Sequence, residues 1–430
     1  MMTNKRIYLC LAHMSEAGME QKYVKEAFDT NWVVPLGPNV NGFEDDLKRF
    51  VTEVKGDECK AESELTSKEV VALCSGTAAV HLGLLACGVE RGDEVIVQSF
   101  TFCASTHPVT YIGATPVLVD SERDTWNIDP DLLEEAIKDR IAKTGRKPKA
   151  IVPVALYGMP YKVDRIMEIA NRYGIPVVED AAEGFGSRFG GRVLGTFGDY
   201  GVLSFNGNKM ITTSGGGALI CPDVAAKQKM MWYATQAREA YPYYQHEAIG
   251  YNYRLSNVCA GIGRGQMTVV NDHLAHHRHV AQLYKEAFAN VKGITFHDEL
   301  EGMESNFWLS TILLDENLKV KGEELAYAEA VHGAVGGAAG VVHGGGSVHT
   351  GCEPNRNVEA MRLVLDKEQI ESRPLWKPMH KQPVYKDVSA YVNGVSEQLF
   401  KQGLCLPSGP CVSDDDVARI IATIISAIEE

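Results

Sequence analysis

From residue 75 to about residue 219, short β-branched runs alternate with longer stretches whose apolar residues recur at helical spacing. This rhythm predicts a mostly parallel sheet flanked by helices, an α/β fold. Strands are predicted at 94–98, 115–119, 150–155, 176–179, 200–205 and 217–220. Between them, Pro130 stands where a first helical turn would begin, and Leu132, Leu133, Ala136, Ile137 and Ile141 continue it with one apolar face. A second helix is predicted over 163–173, closed by Gly174. After Gly263 the texture changes to a charged helix over 271–290 and then to strand-like segments such as 307–314, so a smaller second domain is expected. The division is placed at 1–265 and 266–430. Residues 333–351 (GAVGGAAGVVHGGGSVHTG) lack periodicity and read as a flexible surface loop in the second domain.

With 430 residues, 45% of them hydrophobic and 23% charged, the chain has enough apolar material for two domains. The apolar stretch 151–156 is far shorter than the roughly 18 residues of a spanning helix. Residues 7–12 are too few for a signal peptide, so a cytoplasmic protein is expected. A formal charge of −14 argues against nucleic acid or anionic lipid as partner, since both require a basic footprint. A small phosphate stays compatible with it, because backbone N–H groups hold phosphate locally. The ten cysteines show no CxxC pair, and they read as small buried residues rather than as a disulfide framework or zinc site. His273, His276, His277 and His279 have helical spacing that could bind metal, but an exposed polar face is the expectation. No metal site is expected.

Three segments carry candidate chemistry. Ser75-Gly76-Thr77-Ala78 precedes the apolar run 80–86, placing small residues at a helix start, where unpaired N–H groups can face a phosphate. Serine and threonine there are equally ordinary helix caps. In Ile175-Pro-Val-Val-Glu179-Asp180-Ala-Ala-Glu183 a buried strand ends in carboxylates that need partners. Open α/β sheets bind ligands beyond such strand ends. Asp180 reads either as a cap or as a carboxylate facing a cationic ring nitrogen. Lys209 lies between two strand-like runs among small and hydroxylated neighbours. A desolvated amine suits Schiff-base chemistry, and lysine is the standard anchor of pyridoxal phosphate.

Taken together, Ser75-Gly-Thr-Ala, Ser99-Phe-Thr-Phe102, Glu179-Asp180-Ala-Ala-Glu183, Ser204-Phe-Asn-Gly-Asn-Lys209 and Gly250-Tyr-Asn252-Tyr-Arg254 resemble, in order, the motifs of the DegT/DnrJ/EryC1/StrS sugar aminotransferases. The resemblance implies a fold-type I pyridoxal-phosphate-dependent transferase, with a mostly parallel central sheet and a smaller C-terminal α+β domain. It implies Lys209 as the Schiff-base lysine, Phe102 stacked on the pyridine ring, Asp180 on the ring nitrogen and Glu183 near the phenolic oxygen. Gly76, Thr77 and Ser204 would hold the phosphate. Asn252 would reach it from the neighbouring subunit of a homodimer, with Arg254 assisting.

Further segments, among them Thr235-Gln-Ala-Arg238, Asn306-Phe-Trp308 and Glu371-Ser-Arg373-Pro-Leu-Trp376-Lys377-Pro-Met-His380, are similar to bacterial enzymes that make UDP-4-amino-4,6-dideoxy-N-acetylglucosamine in the bacillosamine pathway. This likeness implies L-glutamate as donor and a UDP-linked 4-keto sugar as acceptor. Arg373, Lys377 and His380 either face the nucleotide diphosphate or decorate a packed loop. Amination at C3, or of a dTDP or GDP sugar, is the nearest alternative. A sugar dehydratase of the family would carry histidine in place of Lys209, and a catalytically idle scaffold would not need the intact set.

Overall fold

The computed structural model describes residues 5–55, 65–326 and 351–429. The glycine-rich segment 333–351 lies outside them apart from Gly351, and with it the surface-loop expectation.

A central sheet organises residues 69–221. Its strands run in the order Ala390–Tyr391, Thr115–Val119, Glu94–Gln98, Ala150–Val152, then Val178–Asp180, Tyr200–Ser204, Gly217–Cys221 and Glu69–Leu73. The two halves join through parallel bridges Ile151–Val177 and Val154–Asp180. Every pairing is parallel except those of Gly217–Cys221, which runs antiparallel to both neighbours. Val95, Ile96, Val97, Val117, Leu118, Val119 and Val202 are fully buried, as both faces are covered by helices. The strand expected over 150–155 pairs regularly only to Val152 because Pro153 has no N–H to give, although its carbonyl still accepts from Asp180 N–H. The strand Glu69–Leu73 was not among those predicted, yet it leads directly into the Ser75–Ala78 turn.

The helices expected near 130 and over 163–173 are present as Pro130–Thr144 and Val163–Tyr173, the latter closed by Gly174 at φ 58°. A second, antiparallel sheet orders Ile294–Phe296, Ser310–Leu314, Gly403–Leu406 and Arg373–Pro374. Helices Val270–Phe288, Arg356–Lys367 and Asp414–Ala427 supply its apolar cover through Val280, Tyr284, Met361, Ile420 and Ile424. The strand expected from residue 307 starts only at Ser310, because Phe307 has φ 45° and the chain turns there.

The histidine-rich helix corrects a second expectation. His273 and His277 are buried rather than exposed, with Nδ1 of each at 3.1 Å from a backbone carbonyl, of Met210 and Phe307 respectively. Among the described residues no three His, Cys, Asp or Glu side chains gather as a metal-ligand set, and no helix is long and apolar enough to cross a membrane. The described cysteines are unpaired, and four of them, Cys10, Cys221, Cys352 and Cys405, are buried, fewer than expected.

Candidate active site

The carboxyl ends of the central strands open into a cavity of about 360 Å³. Its wall includes Ser75, Gly76 and Thr77, then Phe102, Asp180 and Glu183, then Ser204 and Lys209, together with Trp308 and Trp376. Segments more than 100 residues apart thus meet where an open α/β sheet places its ligands.

Each wall is built by a local rule. Ser75 caps the helix Gly76–Ala86, its Oγ accepting from Ala78 N–H at 3.0 Å, and Gly76 and Thr77 of its first turn, whose N–H groups have no partner within the helix, line the cavity. A Cβ on Gly76 would stand 3.0 Å from Ser204 Cβ, and one on Gly217 would collide with the backbone at Ser75 and Gly76. The cradle therefore requires glycine at 217, and at 76 a side chain would crowd Ser204.

Strand alternation separates the two carboxylates that end Val178–Asp180. Glu179 turns away from the cavity and accepts from the N–H groups of Phe197 and Gly198 at 2.9 and 3.3 Å. Asp180 faces the cavity, accepting from Ser105 Oγ at 2.7 Å and Ala182 N–H at 3.0 Å. No helix follows directly, so Asp180 is not a helix cap; the Ala182 contact closes a turn while the carboxylate lines the cavity. Burial pushes its carboxyl up from the ordinary range, against the Ser105 hydrogen bond and the charge of Lys209. Glu183 is likewise raised by burial and held down by Lys209 and by Tyr157 N–H, which donates to Oε2 at 2.8 Å.

Lys209 follows the strand Tyr200–Ser204 on a tight loop in which its N–H donates to Asn206 O at 3.0 Å. Its side chain is 13% exposed, with Nζ at 3.4 Å from Glu183 Oε1 and 3.8 Å from the centre of the Trp308 ring. Phe102 is 48% exposed because it stands in the cavity wall, its ring 5.2 Å from that of Trp376.

Other expected contacts are not gathered here. Asn252 is exposed and does not line this chain's cavity, although its backbone bridges to Thr235. Arg254 is committed elsewhere: its guanidinium pairs with buried Glu44 and donates to Ala72 O at 2.9 Å, tying helix Pro38–Thr52 to strand Glu69–Leu73. Arg373 is exposed and pairs with Glu371 at 3.0 Å. Lys377 lines a neighbouring groove of about 320 Å³ with Thr101, Phe102, His107 and Trp376. His380 does not line that groove; its Nδ1 lies 2.7 Å from Ser99 Oγ, and its backbone N–H donates to the same hydroxyl at 3.2 Å.

Three supports have roles that sequence reasoning did not assign, although Asn306 lies in a segment that carries the family likeness. Ser105 orients Asp180. Tyr157, at φ 54° and fully buried, gives its N–H to Glu183 and accepts Trp376 N–H at its hydroxyl at 2.7 Å. Asn306 is 1% exposed and donates to the carbonyls of Glu183 and Phe185 at 2.9 Å each. A Cβ at Gly158, φ 95°, would lie 1.8 Å from Asn306 Oδ1, so that glycine is required by close approach. No periodicity marks these residues; only their neighbourhood to the motifs does.

Comparison with known proteins agrees with this geometry. The model of the DegT/DnrJ/EryC1/StrS aminotransferase family matches residues 15–336 and 346–425. EpsN of Bacillus subtilis (strain 168), provisionally assigned as a pyridoxal phosphate-dependent aminotransferase, is 41% identical over 98% of this chain and 96% of its own. A GDP-perosamine synthase of Caulobacter vibrioides is 34% identical over 95% of each chain. A crystal structure of a DegT/DnrJ/EryC1/StrS aminotransferase from Brucella abortus superposes with TM-score 0.78 at 26% identity, covering 95% of each chain.

Proposed function

The chain belongs to the DegT/DnrJ/EryC1/StrS family of pyridoxal-phosphate-dependent sugar aminotransferases, and from that premise we propose that it moves an amino group from L-glutamate to C4 of a UDP-linked 4-keto-6-deoxy-N-acetylhexosamine. The product would be UDP-4-amino-4,6-dideoxy-N-acetylglucosamine. The observation that carries the reaction type is the meeting of Lys209, Asp180 and Glu183 with the Gly76–Thr77 cradle in one cavity.

The residues fit the cofactor. The glycine-kept cradle with Ser204 suits a phosphate, Phe102 offers a ring face, and the buried Asp180 carboxylate suits a protonated ring nitrogen. When bound, pyridoxal phosphate supplies an electron-withdrawing ring that acidifies the C–H beside a substrate nitrogen. This chain's residues do the rest. Gly76, Thr77 and Ser204 would hold the phosphate, and Asp180 would keep a proton on the ring nitrogen. Glu183 would lie near the phenolic oxygen, and Lys209 would anchor the cofactor and, when free, serve as base and acid at the substrate carbon.

The same proposal includes a cytoplasmic homodimer in which exposed Asn252 completes the neighbouring subunit's phosphate site, and the division at residue 265. The choice of sugar rests on the similarity of segments such as Asn306-Phe-Trp308 and Arg373–His380 to enzymes of that pathway. The 34% identity to a GDP-perosamine synthase favours one second reading, a GDP-linked keto sugar. Incubation with L-glutamate and a panel of 4-keto and 3-keto UDP, dTDP and GDP sugars, read by mass spectrometry, tests the choice. Amination of the UDP 4-keto sugar is expected; turnover only of a GDP or 3-keto sugar overturns it.

A further inference from the structure

Lys209 has two lives in an amino-transfer cycle, one bonded to the cofactor and one detached. Each incoming amine must displace it, and the detached amine must stay close enough to carry a proton. Displacement is therefore easier if the protein offers the freed ammonium a place to rest. The structure contains such a place. Lys209 Nζ lies 3.8 Å from the centre of the Trp308 ring and 3.4 Å from Glu183 Oε1. Both surfaces are buried: Trp308 is 1% exposed and Glu183 5% exposed.

Trp308 is held at both ends, as a surface meant to receive a charge must be. Its indole N–H donates to Asn208 O at 2.6 Å, next to Lys209 in the chain. Its backbone N–H donates to Asn306 Oδ1 at 2.8 Å, and Asn306 in turn fixes the carbonyls of Glu183 and Phe185. The indole face, the carboxylate and the lysine loop are thus one hydrogen-bonded frame. The other titratable groups around the amine are Asp180, whose oxygens are held by Ser105 and Ala182, and Cys10, whose thiol is pushed up to about 12 by burial and stays uncharged. The attraction of an ammonium to an indole face is strongest where water is excluded, as here.

We propose that Trp308 is a positioning residue that, with Glu183, berths the Lys209 ammonium whenever an incoming amine has displaced it. This rests on Lys209 being the anchor, the reading given above. The exchange it favours is balanced: a methylammonium ion takes over the bond from nitrogen to the cofactor carbon, Lys209 leaves that carbon, and the two protons lost by methylammonium pass to Lys209, restoring its ammonium.

The test titrates methylamine into the cofactor-loaded protein at fixed pH and reads the displacement constant from the visible spectrum. Trp308→Leu is expected to make displacement about tenfold less favourable, and Trp308→Phe, which keeps a ring face, to recover most of it. In a Lys209→Ala background Trp308→Leu should leave the affinity for the methylamine-bound cofactor within about twofold, a control that a merely structural role would not pass. An unchanged displacement constant in Trp308→Leu overturns the berth alone. Equal losses with and without Lys209 do the same. Parent protein that never develops a lysine-linked band overturns the proposed function together with it.

Discussion

The cavity has two unlike walls. The cofactor wall, Gly76, Thr77, Asp180, Ser204 and Lys209, lies at or just beyond the ends of strands of one sheet, fixed by ladder hydrogen bonds and a helix cap. The other strip, Arg373 to Tyr385, starts as the short edge strand Arg373–Pro374 and continues as turns anchored by a few contacts, such as Trp376 N–H on Tyr157 and Met379 N–H on Ser99 O, each at 2.7 Å. One wall converges on a single point. The other spreads its cations over the surface and a neighbouring groove. Groups that must be aimed at one point are carried on rigid strand ends, whereas the cations of the other strip converge on no single point.

The comparison can be broken at either wall. The largest effect is expected at Asp180. Asp180→Asn keeps the size and the Ala182 contact but loses the charge facing the ring nitrogen, and amino transfer should fall by about 10³-fold while the protein still binds cofactor. A loss below tenfold, measured as kcat with saturating glutamate, would mean that the carboxylate only closes the turn at Ala182. Next comes Arg254. Its side chain and that of Glu44 are 7% and 5% exposed, so Arg254→Met leaves a buried carboxylate without its closest cation. Stability should drop by about 3 kcal/mol in urea unfolding, with the sugar KM unchanged. Weakened cofactor binding or a raised KM at unaltered stability would return Arg254 to the site.

A third effect depends on pH. Burial pushes His277 down to about 3, and its Nδ1–H is held by Phe307 O, so the folded protein keeps it neutral. The unfolded chain protonates it near pH ~6.5. Its contribution to stability is therefore present above pH ~6.5 and is lost as pH falls toward about 3. His277→Gln, which can still donate to Phe307 O, should flatten the fall of Tm between pH ~6.5 and ~4. A slope equal to the parent's would contradict the assignment. The smallest effect is expected on the substrate strip: Arg373→Ala should raise the sugar KM less than about fivefold, its exposed pair with Glu371 being worth little. A larger rise would extend the aimed part of the site across to that wall.

What could be read from the sequence follows the same division. The strands Glu94–Gln98 and Thr115–Val119 and the helix Val163–Tyr173 have the bounds their patterns predict, since continuous buried runs and a closing glycine are local signals. The strand Glu69–Leu73 was invisible as a strand because only its pairing with Gly217–Cys221 distinguishes five apolar-rich residues from a loop. Lys209, Asp180 and the cradle were legible through ordered motifs. The roles of Ser105, Tyr157 and Asn306 were not, because these residues act by hydrogen bonds between segments that only the fold brings together. His273 and His277 were misread for the opposite reason: their spacing suggested a polar face, while neutral imidazoles bonded to carbonyls sit inside at small cost.

The central claim is that Lys209 anchors the cofactor. Protein loaded with pyridoxal phosphate should absorb in the visible, and borohydride should abolish the band and leave the cofactor's mass on the peptide containing Lys209. A colourless protein after loading, or a label fixed on another lysine, would contradict the account.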